Sequence, residues 1–216
     1  MDKEKTYSFP ERIGKEYIKK LTVQEFGGKI NIIKDPKDVS SATNNLSKES
    51  VLGFDTETRP SFKKGEKNFV SLLQLSTSNE AYLFRLNYLG LPEELVNLLV
   101  DPKILKVGVA ILDDIRALQK LRKFDPNGFV ELSNIAKNLG IVTCGLRSLA
   151  AIFLDVQITK KEQLTNWDRT YFKPSQSIYA ATDAWICLKI YRFLETKKLL
   201  PDEKVFVKNQ TLTVKV

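Results

Sequence analysis

Histidine is absent from all 216 residues. Its absence excludes His-ligated zinc sites, Ser–His nucleophile pairs and histidine general bases. Cysteine is scarce: Cys144 and Cys187 are the only two, far apart and without Cys-x-x-Cys spacing. A disulfide framework is therefore not expected, and reduced thiols in a cytoplasmic (cytosolic or nuclear) compartment are. No apolar run approaches the roughly 20 residues of a membrane-spanning helix. The start, Met1-Asp2-Lys3-Glu4-Lys5, is charged with no apolar stretch behind it, so a secretory signal is not expected either. Internal repeats and low-complexity segments are also missing.

What is present is an ordinary soluble composition, 43% hydrophobic, with a basic balance of +8. The length suits one domain, and a basic surface suits a polyanionic partner such as nucleic acid. Residues 1–28 are charged, lack a period and read as an N-terminal extension that packs on or precedes the core. Strands are predicted over 29–34, 51–57, 69–77, 81–86, 104–109 and 129–132, the third and fourth joined as a hairpin through Ser78-Asn79. Helices are predicted from Asp35-Pro36 to about Leu46, over 92–100 and 112–121, from a Ser133 cap to Leu139, and over 146–154 and 175–194. Hairpin strands followed by alternating strands and helices argue for an α/β fold with a mixed sheet flanked by helices.

Acidic residues carry the chemistry. Asp55 and Glu57 lie two apart on the 51–57 strand, so they share a face, where two like charges repel unless a cation sits between them. Tyr179, Asp183, Ile186 and Ile190 fall on one helical face, which puts Asp183 on or beside a buried stripe. A buried lone carboxylate is costly unless paired, and divalent metal on oxygen ligands is the economical partner. A third acid is Asp113 or Asp114. Asp114 shares a face with Leu118 and Leu121, whereas Asp113 falls with Arg116, Ala117 and Lys120, so Asp114 is favoured as the inward one.

Together these residues resemble the DEDD superfamily of 3′–5′ exonucleases, in the subgroup that bears tyrosine in its last motif. Phe54-Asp55-Thr56-Glu57-Thr58 is similar to the first motif, Val107-Gly108-Val109-Ala110-Ile111-Leu112-Asp113-Asp114 to the second, and Tyr179-Ala180-Ala181-Thr182-Asp183-Ala184 to the third. Supporting segments are Leu72–Ser76, Phe129–Leu132, Gly145–Leu149 and Asn166-Trp167, which look most like ribonuclease D and the Werner syndrome exonuclease domain. The resemblance covers about residues 30–195. It implies a ribonuclease H-like (DnaQ-like) fold over 29–200, with a short C-terminal tail over 201–216, and two divalent ions, Mg²⁺ or Mn²⁺, for phosphodiester hydrolysis at a nucleic-acid 3′ end. By this resemblance Asp55 bridges both ions, Glu57 and Asp183 hold the one that activates water, Asp114 supports the second, and Tyr179 positions the water. Expected substrate contacts are Thr56, Lys63, Lys64, Lys67 and Arg147, and Trp167 is either a ring that stacks on a base or a core tryptophan. The rival reading is a catalytically silent nucleic-acid-binding module on the same fold. Loss of one acid would favour it, and all five side chains of the site are present.

Overall fold

The computed structural model describes residues 7–61 and 68–201. In chain order the elements are α1 (Lys15–Ile18), β1 (Lys29–Ile33), α2 (Pro36–Leu46), β2 (Val51–Thr58), β3 (Val70–Ser76), β4 (Glu80–Arg85), α3 (Leu86–Leu89), α4 (Glu93–Val100), β5 (Leu105–Gly108), α5 (Ile111–Leu121), β6 (Phe129–Glu131), α6 (Leu132–Asn138), α7 (Leu146–Leu154) and α8 (Pro174–Thr196). The six strands form one sheet in the order β1-β4-β3-β2-β5-β6. β3 runs antiparallel to both its neighbours, and the other pairings are parallel, so the sheet is mixed. Among the described residues no helix is long and apolar enough to cross a membrane.

Strand alternation sorts side chains into two layers. Leu52 and Phe54 of β2 join Leu73, Leu75, Tyr82 and Phe84 beneath α2, α4 and α5. Val51 faces the other way, with Val107 and Val130, toward α6, α7 and α8. Gly53 is on this second face, and α8 lies so close that a Cβ there would stand 1.9 Å from the Ala184 carbonyl oxygen. Only glycine permits that approach, and it brings the helix carrying Tyr179 and Asp183 onto the strand carrying Asp55 and Glu57. The pairing of β2 with β5 is recorded from Val51↔Leu105 to Gly53↔Val107, while β3 follows β2 out to Thr58. Beyond Gly53, one flank of β2 lies past the end of β5. Such crevices at strand carboxyl ends are where open α/β sheets place ligands.

Of residues 1–28, read as an extension that packs on or precedes the core, the described part from residue 7 packs on it: it includes α1, Val23 bridges Gln157, and Phe26 packs edge-on against Trp185 at 5.6 Å. The short α3 directly after β4 has no counterpart in the periodicity. Ser133 does not cap α6. That helix starts two residues earlier than a Ser133 cap implies, at Leu132, and the cap is Glu131, whose carboxylate accepts from the Ser133 N–H at 2.9 Å.

Candidate active site

β2 and α8 build the centre of the site. Asp55, Glu57 and Asp183 each offer a carboxylate oxygen, and these oxygens all lie within 4.8 Å of one another. None of the three forms an ion pair with Lys or Arg among the described residues. Burial and mutual repulsion dominate their protonation. Burial, then the charges of Asp183, Asp114 and Glu57, holds the Asp55 carboxyl well above the usual carboxylate range. Burial, then Asp183 and Asp114, pushes Glu57 up to about 9. Burial pushes Asp183 up to about 7, against the opposing effects of a Tyr179 hydrogen bond and the Lys160 charge.

Asp114 stands one step away from this cluster. Alternation turns Thr56 to the face opposite Asp55 and Glu57, and there its hydroxyl donates to Asp114 Oδ1 at 2.5 Å. Burial pushes Asp114 up to about 6, while the Thr56 bond favours its charged form. Asp113 points into solvent and pairs with Arg116 at 3.1 Å. The helical phase of α5 therefore sorts the two acids as the sequence pattern does.

α5 is held in place by a residue whose role sequence reasoning missed. Ala110, just before the helix, has a left-handed backbone (φ 61°), which costs a non-glycine residue roughly 1–2 kcal/mol. Glu131 compensates. Its Oε1 accepts from the N–H groups of Ala110 at 3.0 Å and Ser133 at 2.9 Å, and its Oε2 accepts from Ile111 N–H at 2.9 Å. One carboxylate thus caps α5 and α6 together. The signal available was the Phe129–Leu132 segment itself, an acid ending an apolar strand.

Asp55, Glu57 and Asp183, but not Asp114, line a cleft of about 630 Å³, whose walls include Thr56, Arg147, Lys160 and Tyr179. Arg147 is half-buried, and its Nε has no hydrogen-bond partner. Lys160, also absent from the sequence expectations, adds a positive charge near Asp183. Trp167 does not offer a face to a base. It is completely buried, with its ring 6.1 Å from Tyr179 and 5.4 Å from Phe172, and so it backs the tyrosine. Lys63, Lys64 and Lys67 lie outside the described residues. Burial pushes the Tyr179 hydroxyl above its ordinary value, with help from Asp183 and Glu57, so it stays protonated at neutral pH. Cys187, which also borders the cleft, is raised by burial and is not a thiolate nucleophile.

This donor set suits divalent metal. The ligands are hard oxygens, they converge, and none of them is ion-paired with Lys or Arg among the described residues. Directly across from Asp55 on β3, the buried Gln74 side-chain amide also has no hydrogen-bond partner among the described residues.

Comparison with known proteins agrees with this geometry. A sequence-family model described as 3′–5′ exonuclease matches residues 30–198. The mouse bifunctional 3′–5′ exonuclease/ATP-dependent helicase WRN is 34% identical over 186 residues, covering 81% of this chain and 13% of that protein. The Aedes aegypti Nibbler EXO domain superposes with a TM-score of 0.71 at 23% identity, covering 78% of this chain and 88% of that one. Trypanosoma brucei RNase D, solved in complex with RNA U12, superposes with a TM-score of 0.70 at 17% identity, over 78% of this chain and 63% of that one. These likenesses identify the fold as ribonuclease H-like. The chain spans about half the length, or less, of most of the curated relatives it matches. With a match over most of its length, and with acids on β2, α5 and α8 where the motifs place them, the chain belongs to the 3′–5′ exonuclease domain family.

Proposed function

We propose that the chain is a metal-dependent 3′–5′ exonuclease that removes nucleoside 5′-monophosphates from nucleic-acid 3′ ends. The observation that carries this reading is the convergence of Asp55, Glu57 and Asp183 with no ion pair to Lys or Arg among the described residues. With Asp114 they would hold two divalent ions, Mg²⁺ or Mn²⁺. Ions so held supply a lowered pKa for water and charge neutralisation for both the attacking and the leaving oxygen. In the reaction a water oxygen bonds to phosphorus, and the bond from phosphorus to the 3′ oxygen of the preceding nucleotide breaks.

The chain's own groups then have distinct tasks. Tyr179, protonated and hydrogen-bonded to Asp183, orients the water through its hydroxyl and is no base. The buried Trp167 fixes the tyrosine ring. Thr56 holds Asp114 in its charged form. Arg147 and Lys160 meet the phosphate backbone, which makes binding sensitive to salt. A nucleic-acid substrate is consistent with the basic balance of the chain and with the RNA bound by the trypanosomal structural neighbour.

The test uses 5′-labelled single-stranded DNA, recessed duplex DNA and matched RNA with Mn²⁺, Mg²⁺ or EDTA, and Asp55→Ala in parallel. A metal-dependent ladder shortening from the 3′ end, absent in the variant, is expected. Intact oligonucleotides from folded, metal-binding protein would overturn the reading. Cleavage by Asp55→Ala at the wild-type rate would remove Asp55 from the site.

A further inference from the structure

The family match starts at residue 30, yet the acid-lined cleft has a wall contributed from before it. Lys15 and Ile18 of α1 border the same cavity as Asp55, Glu57 and Asp183. This segment is fixed at several points. Val142 N–H donates to the Glu11 carbonyl at 2.8 Å, just ahead of α7. After α7, Gln24 N–H donates to the Gln157 carbonyl at 2.9 Å and Gln157 N–H to the Thr22 carbonyl at 3.0 Å. Phe26 N–H donates at 2.9 Å to the hydroxyl of Thr182, the residue beside Asp183. Ile18 is buried, so α1 has an inward and an outward side, and Lys15 is exposed at the cleft.

Lys15, Arg147 and Lys160 come from three different segments and border one cavity. None of them forms an ion pair among the described residues. A lone exposed lysine is ordinarily just solvated. Three unpaired cations around a cleft whose floor is acidic are an arrangement for a ligand carrying repeated negative charge. Its reacting phosphate belongs with the acids, and its other phosphates belong along the cationic wall.

We propose that Lys15 is a substrate-strand contact, holding with Arg147 and Lys160 the backbone phosphates on the upstream side of the scissile bond. The N-terminal segment is then a working wall of the substrate site, and it selects a polynucleotide over a small phosphate ester. This proposal rests on the exonuclease reading above.

The test compares wild type with Lys15→Ala, Lys15→Glu and Lys15→Arg in the full chain. Substrates are a single-stranded oligonucleotide and the p-nitrophenyl ester of thymidine 5′-monophosphate. For the oligonucleotide, KM is expected to rise several-fold in Lys15→Ala and further in Lys15→Glu, with kcat within about twofold. Removal of one phosphate contact is expected to make the slope of log affinity against log salt shallower by about 0.7. The loss is expected to be several-fold larger for the oligonucleotide than for the ester, and Lys15→Arg is expected to restore the oligonucleotide KM. Unchanged KM and salt slope in both Ala and Glu variants, beside an active wild type, would overturn the proposal. Equal losses on both substrates would overturn it too, by showing a distorted site. A wild type inactive on every nucleic acid would instead remove the exonuclease reading, and this proposal with it.

Discussion

Glu131 is the residue whose removal gives the sharpest test of how the site is held. Its carboxylate accepts three backbone N–H groups at 2.9–3.0 Å, those of Ala110, Ile111 and Ser133. The first N–H groups of a helix have no partner inside the helix, so this side chain supplies what two helix starts lack. Hydrogen bonds to a charged group are worth roughly 1.5–3 kcal/mol each, and a buried donor left alone costs its full desolvation. Ile111 is fully buried, so water cannot replace the acceptor there, whereas the exposed Ala110 and the half-exposed Ser133 can turn to water. Glu131→Ala is therefore expected to cost about 3–4 kcal/mol, dominated by Ile111. Glu131→Gln keeps one oxygen for Ala110 and Ser133 but turns an amide donor toward Ile111 N–H, and is expected to cost about 2 kcal/mol.

Asp114 lies in the first turn of α5, three residues beyond Ile111. Loosening that turn also relaxes the left-handed Ala110 and shifts the acid. Misplacement by about 1 Å can cost on the order of 100-fold in rate, so the Gln variant is expected to be folded and at least tenfold slower. Urea unfolding with an unchanged m-value measures the first effect, and single-turnover cleavage measures the second. A loss below about 1 kcal/mol in Glu131→Ala, or full activity in Glu131→Gln, would refute the claim that this carboxylate holds α5.

Two further outcomes are expected. Tyr179→Phe removes the hydroxyl proposed to orient water and is expected to lower kcat by roughly 10- to 100-fold with metal affinity nearly unchanged; unchanged turnover would reject that role. Glu57, Asp183 and Asp114 are raised in the folded state to about 9, about 7 and about 6, so the stability they contribute in EDTA is present in acid and is lost as pH rises from about 5 to about 9. Metal binds the deprotonated acids and is expected to flatten or reverse that slope, and Asp55→Asn is expected to melt higher in EDTA while losing the response to metal. Thermal melts across pH check this, and an EDTA melting temperature independent of pH would contradict it.

What the sequence disclosed depended on where each structure gets its partners. The β3–β4 hairpin was readable because the turn is local, with Thr77 N–H donating to the Glu80 carbonyl. The acids of β2 and α8 were readable because alternation and helical phase are local geometry. The docking of residues 7–28 was not, because Glu11, Thr22 and Gln24 attach through backbone groups that carry no side-chain signature. Glu131 misled for a related reason. Ser133 has the preferred chemistry of a helix cap, but the tertiary approach of α5 gives Glu131 three donors where a serine would serve one. Trp167 sat in a polar loop sequence, and only the packing of Leu72, Leu83 and Ala180 around it makes it core.

The position of the site follows from one mismatch in strand length. Asp55 and Glu57 point toward α8, and Thr56 points toward α5, so β2 alone would keep the acids of the two layers apart. β5 ends at Gly108, while β2 continues to Thr58. Past that end, Asp114 on α5 comes close enough for its charge to raise both Asp55 and Glu57, though it bonds only to Thr56 on the opposite face. Had β5 continued alongside β2, its backbone would have filled the gap through which the two layers meet. The same gap bears on why none of these acids is ion-paired with Lys or Arg among the described residues. An arginine or lysine reaching into it would stabilise the acids and fill the space the proposed ions need; among the described residues Lys15, Arg147 and Lys160 stand instead on the cleft wall. The mutual repulsion of the acid cluster and its proposed affinity for divalent ions are on this account one property, set by how far β2 outruns its neighbour.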